Sequence, residues 1–89
     1  MCEMALAFIR NSIKSNDIAF SQHAVQRMLE REIKEEWVWR CLRNGKLDKV
    51  QDLAEKDRQL IFYDEEGDFC VVIAACLPCQ VVTVYRKNE

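Results

Sequence analysis

Apolar residues recur at three- and four-residue spacing through the first half of the chain, and alternate or run together through the second. The first pattern is the stripe of an amphipathic helix and the second that of a strand. The spacing predicts a helix over residues 3–14, with Met4, Ala5, Phe8, Ile9, Ser12 and Ile13 on one side. Ser15, Asn16 and Asp17 make a polar break. Phe20 and Ser21 then open a second helix over residues 22–31, for which Ser21 is the N-cap. Ala24, Val25, Met28 and Leu29 share its apolar face, and His23, Gln26, Arg27, Glu30 and Arg31 its polar one. A third helix is expected over residues 34–43. Ile33, Trp37, Val38, Cys41 and Leu42 form its apolar side, and Trp39 falls on the polar side. Asn44 and Gly45 end it, with Gly45 as the left-handed cap.

Strand signals follow. Residues 46–52 read as an edge strand, being highly charged and poorly alternating. Residues 60–64 form a second strand, and the loop of residues 64–68 turns the chain with Gly67 at its left-handed position. Residues 69–76 are almost wholly apolar, as in a central strand buried on both faces. Leu77 and Pro78 turn the chain again into a last strand over residues 80–86. Such short connections favour an antiparallel meander. The expected fold is therefore α+β, with about three N-terminal helices packed on a four-stranded antiparallel sheet. It is read as a single domain over residues 1–89, divided into an N-terminal helix (1–16), a two-helix segment (17–45) and a sheet (46–87).

Composition narrows the classes. With 89 residues the chain can build one core. Two Gly and one Pro argue against disordered and repetitive classes. No apolar run reaches the roughly 20 residues that span a bilayer. The start, Met1-Cys2-Glu3-Met4, lacks the pattern of a signal peptide, so a cytoplasmic location is expected and no membrane partner. A net charge of −2 counts against a strongly basic nucleic-acid binder and leaves room only for a local basic patch. Five cysteines in a reducing compartment are read as thiols.

The segment from His23 to Arg31 carries the most specific pattern, H-A-x-x-R-M-x-E-R. His23, Arg27 and Arg31 stand four apart and so form one line along the helix. An imidazole and two guanidinium groups in a line suit a phosphate. Arginine clamps phosphate oxygens through paired donors, and histidine transfers protons near neutral pH. Together they supply what cleavage of RNA by its own 2′-hydroxyl requires: an acid, a base and charge stabilisation. The plainer account is a solvated polar face in which Glu30 pairs locally with Arg27 or Gln26.

The same residues carry a resemblance. The chain resembles a widespread bacterial family of small domains of unknown function, from about Asp17 to Lys87. The matching pieces are Phe20-Ser21-Gln22-His23-Ala24, Arg27-Met28, Glu30-Arg31, Gly45 and Val81-Val82-Thr83-Val84-Tyr85. That family is similar to the barnase, EndoU, colicin and RelE group of ribonuclease toxins. The resemblance implies a toxin-like, metal-independent ribonuclease or an inactive relative of one, working without a cofactor. His23, Arg27 and Tyr85 are its candidate catalytic residues, and Arg31 and Thr83 its candidate substrate-binding residues. Thr83 and Tyr85 alternate with Val82 and Val84 and so are expected on one side of the last strand, facing the same cleft. Their plainer account is ordinary strand propensity. The chain departs from the family where Glu32 stands for a common Gly and Lys34 for a Ser or Thr cap. Glu32 tolerates a left-handed turn poorly, which implies a differently shaped loop.

Two further features point elsewhere. Cys76 and Cys79 form a C-x-x-C, half of a zinc site or a redox pair, with Cys70 and His23 as further candidate ligands. The plainer account is two small thiols flanking a turn, and no metal is assigned. Trp39 on a polar helix face marks either an interface or packing beneath the first helix. The doubly apolar strand needs cover on both faces, either from the first helix crossing over or from a second copy in a homodimer. The partners expected are thus RNA, an antitoxin-like or other protein, or a second copy. A non-catalytic protein-interaction module is the competing function, and a metal or redox domain on Cys76 and Cys79 the third.

Overall fold

The computed structural model describes residues 2–51, 58–75 and 79–87, with side chains from Leu6 onward. Three helices, α1 (Cys2–Lys14), α2 (Gln22–Glu30) and α3 (Glu35–Asn44), pack with five strands: β1 (Ile18–Phe20), β2 (Lys46–Gln51), β3 (Gln59–Asp64), β4 (Phe69–Ala74) and β5 (Cys79–Arg86). The sheet order is β1-β5-β4-β3-β2. The last four strands form the expected antiparallel meander. The sheet has a fifth strand, however, and is mixed. β1 pairs in parallel with β5, Ile18 opposite Cys79 and Phe20 opposite Val81. Three residues are too few to show a period, so Phe20 looked like the approach to a helix. Among the described residues no helix is long and apolar enough to cross a membrane.

The main core lies between the helices and one face of the sheet. Ile9 and Ile13 of α1, Ala24 and Met28 of α2, and Val38, Cys41 and Leu42 of α3 meet Leu60, Phe62, Val71, Ile73, Val81 and Val84. The first helix therefore stays on this face and does not cross the sheet. All six residues of β4 are buried, as its apolar run implied. On the opposite face Ile61, Cys70 and Val72 form a second cluster, roofed by Tyr63, Val82 and Tyr85 of the same sheet. Trp39 is half-buried against the main core, its ring 6.3 Å from that of Phe20. It is a packing residue rather than an exposed interface marker.

The glycines act otherwise than expected. Neither Gly45 nor Gly67 has a positive φ; the left-handed positions belong to Asn16, Glu32 and Asp68, at φ 56°, 55° and 55°. Gly45 is extended, and a Cβ there would stand 2.8 Å from the Tyr63 carbonyl oxygen and closer still to that of Cys41. The backbone at Gly45 simply leaves no room for a side chain. At Gly67 a Cβ would press on the Phe69 ring. Glu32, in contrast, keeps the left-handed turn that a family glycine would make. The Glu32 amide donates to the Leu29 carbonyl (3.3 Å) and the Ile33 amide to that of Met28 (2.9 Å). This is a Schellman end, sealed by buried Ile33 and Met28 in one cluster. α1 ends in the same way, Asn16 donating to Ile13 and Asp17 to Ser12.

Candidate functional site

α2 runs beside β5, fastened at both ends. At its start the Ser21 amide donates to the Val81 carbonyl (3.0 Å). The Ser21 hydroxyl donates to the Val82 carbonyl (2.8 Å) and accepts from the Ala24 amide (2.9 Å). Ser21 is thus the expected N-cap and also a link to the sheet. At the far end Arg86 donates to the Arg31 carbonyl (2.9 Å) and to that of Gly67 (3.0 Å), joining α2, β5 and the β3–β4 hairpin. The lengths agree. Nine helical residues rise about 13 Å, and the four strand steps from Val82 to Arg86 also cover about 13 Å.

The polar stripe of α2 is assembled as its spacing implies. Arg27 Nε lies 3.5 Å from His23 Nε2, at the limit of a hydrogen bond. A donor at that nitrogen leaves the lone pair on Nε2 and the ring proton on Nδ1. Glu30 gathers the rest: it accepts from Gln26 (3.2 Å) and Arg27 (3.2 Å), and its carboxylate lies 3.3 Å from Arg31. The stripe is exposed or half-exposed throughout, so these pairs contribute only a few tenths of a kcal/mol each.

Thr83 and Tyr85 stand on the same stretch of β5 that α2 follows, opposite Val72 and Cys70 on the sheet face away from the main core. Strict alternation would send Val82 inward with Val84. A bulge in the β4–β5 register between Val72 and Ile73 breaks it, and Val82 joins Tyr85 on the outer cluster. The Tyr85 hydroxyl is hydrogen-bonded to Cys70, and burial first, then that bond, raises its pKa. Burial likewise raises the Cys70 thiol. The structure thus joins His23, Arg27, Glu30 and Arg31 in one network and Tyr85 with Cys70 in another, both on the α2–β5 unit. The Thr83 hydroxyl is 3.5 Å from the Val84 carbonyl, at its own strand.

The cysteines point inward. Cys79 is fully buried, with its thiol 3.3 Å from the Ser12 hydroxyl. Cys41 is also buried, and burial pushes its pKa up to about 12, which keeps it a thiol. Cys76 lies outside the described residues. Among the described residues no three His, Cys, Asp or Glu side chains gather as metal ligands.

Two features escaped the sequence. Arg86, at the end of a strand, looked like a surface charge but binds two carbonyls. The apolar face of α2 is split: Ala24 and Met28 are buried, while Val25 is 45% and Leu29 76% exposed. A helical period marks an apolar side but not how much of it a small core can cover.

A small α+β domain with an Arg- and His-bearing helix fastened along its last parallel-paired strand is the class that this architecture defines. The chain belongs to a family of domains of unknown function, DUF4258, whose model matches residues 20–86. No curated protein and no solved structure matches it.

Proposed function

We propose that the domain is a toxin-like, metal-independent ribonuclease, or an inactive relative of one, with its RNA site along α2 and β5. The observation that carries this is the His23–Arg27 contact, with Arg31 one turn further on the same exposed stripe. In this reading His23 Nε2 accepts the proton of a ribose 2′-hydroxyl. The 2′-oxygen bonds to phosphorus as the bond to the 5′-oxygen breaks, leaving a cyclic phosphate and a 5′-hydroxyl. Arg27 and Arg31 hold the non-bridging oxygens, where charge builds up. Thr83 lies along the substrate, and Tyr85, kept protonated by burial, is the hydrogen donor for the leaving oxygen.

The test is cleavage of single-stranded RNA by the purified domain with metal chelated, beside His23→Ala. Proton transfer by a positioned side chain contributes about 10²–10⁴-fold, so the variant loses at least two orders of magnitude while folding normally. A substrate with 2′-deoxyribose at the cleaved position stays intact. Cleavage that survives His23→Ala rules the mechanism out.

The second reading is a non-catalytic protein-interaction module, and the exposure of Leu29 favours it. Absence of cleavage across a broad set of RNAs moves the assignment there.

A further inference from the structure

A groove of about 540 Å³ runs between the outer flank of α2 and the start of α3. Phe20, Val25, Met28, Leu29 and Ile33 make its apolar wall, and Glu32, Lys34 and Glu35 its rim. Val25 and Leu29 stand one helical turn apart and offer themselves to water. Apolar side chains at that spacing beside an open groove form a receptor for a helix that lays its apolar stripe into it. The groove is separate from the ribonuclease-like stripe. Residues two apart on a helix point about 160° away from each other, so Val25 opposes His23 and Leu29 opposes Arg27 across the helix.

The rim sets the sign of the occupant. Glu32 and Glu35 face the groove with Glu36 close by, all three exposed. The lining cation, Lys34, has its ammonium 5.6 Å over the Trp37 ring and is held there by the ring's electron-rich face. Glu32 sits in a left-handed conformation that costs a non-glycine residue roughly 1–2 kcal/mol. The chain thus keeps a carboxylate at the rim where a glycine would be more stable.

We infer that this groove docks an amphipathic helix of another protein that carries Lys or Arg beside its apolar stripe. A second copy of the chain fits less well. A two-fold contact sets the same surface against itself and would bring Glu32 and Glu35 toward their own counterparts.

The test uses the whole chain and two labelled synthetic amphipathic peptides of equal length, one of Leu and Lys and one of Leu and Glu, read by fluorescence anisotropy. Sedimentation reports the oligomeric state. The Leu/Lys peptide binds at least about tenfold more tightly than the Leu/Glu peptide, and Leu29→Asn weakens it by at least about tenfold, as loss of a central anchor does. The double variant Glu32→Lys, Glu35→Lys reverses the preference. Circular dichroism checks that each variant is folded. Unchanged binding by Leu29→Asn means adsorption to an acidic surface and overturns the proposal, as does equal or absent binding of the two peptides. A dimer that Leu29→Asn returns to monomer makes a second copy the occupant and overturns it too.

Discussion

α2 and α3 are neighbours of nearly equal length with equally plain amphipathic patterns, yet the fold uses them differently. α3 buries what its pattern offers: Val38, Cys41 and Leu42 are inside, and Trp37 is half-covered. α2 buries only Ala24 and Met28 and sends Val25 and Leu29 outward. The cause is position. α3 lies over β3 and β4 in the middle of the sheet, whereas α2 continues the edge strand β1 and follows β5. A helix at the edge has sheet beneath one flank only. An amphipathic pattern therefore describes two different things here, a core face in α3 and both a core face and an outward flank in α2. The helix with uncovered apolar residues is the one that also carries the His–Arg stripe, so both candidate binding features sit on one element.

Equivalent truncations on the two helices should separate most. Leu42 is 3% exposed. Leu42→Ala removes buried methyl groups and leaves a cavity, at a cost of about 2–5 kcal/mol. Leu29→Ala changes stability by less than about 0.5 kcal/mol, because it takes little surface out of the core. Urea unfolding of both variants measures the difference. Comparable losses at the two positions would mean that Leu29 is covered in solution and that the contrast between the helices is false.

The caps sharpen the same comparison at a smaller scale. Ser21 caps α2 and ties it to Val82. Ser21→Ala should cost about 1–2 kcal/mol, since it loses the cap and leaves a carbonyl with one partner fewer. α3 starts at Lys34, whose side chain makes no capping bond because an ammonium group offers only donors. Lys34→Ser should gain roughly 0.5–1 kcal/mol, less what the Lys34–Trp37 contact contributes. Glu35 and Glu36 already favour that end of the helix through its dipole. Opposite signs for the two substitutions in thermal unfolding are the expected result.

Much of this was legible in the chain, and the failures share a cause. The three helices, the four-strand meander, the charged edge strand and the doubly buried β4 all follow from local periodicity, which is a local property. β1 did not, because its three residues become a strand only by pairing with Cys79–Val81 some sixty positions later. The glycines misled for a related reason. Their sequence context suggested left-handed turns, but the turns fell at Asn16, Glu32 and Asp68, and Gly45 answers a steric demand from the Tyr63 carbonyl on another strand. At the site, the i, i+4 line of His23, Arg27 and Arg31 is local and was readable. The bulge that moves Val82 to the outer face, and the bridge from Arg86 to Arg31, depend on tertiary register and were not.

The smallest effect on stability bears most directly on what the stripe of α2 does. Glu30 lies against both Arg27 and Arg31, so the four residues His23, Arg27, Glu30 and Arg31 carry one net positive charge when His23 is neutral. Glu30→Gln keeps the shape and removes the countercharge. On an exposed helix face this costs no more than about 0.5 kcal/mol. If the stripe holds phosphate, the same change frees two guanidinium groups and tightens binding of single-stranded RNA. Two phosphate contacts give a salt dependence with a log–log slope of about −1.4. Filter binding across a salt series measures both affinity and slope. A solvated polar face gives a different answer: Glu30→Gln then leaves RNA affinity where it was, and Arg27→Ala leaves the slope unchanged. The outward charges of α2 would then serve solubility alone, and its apolar flank would be the feature that sets it apart from α3.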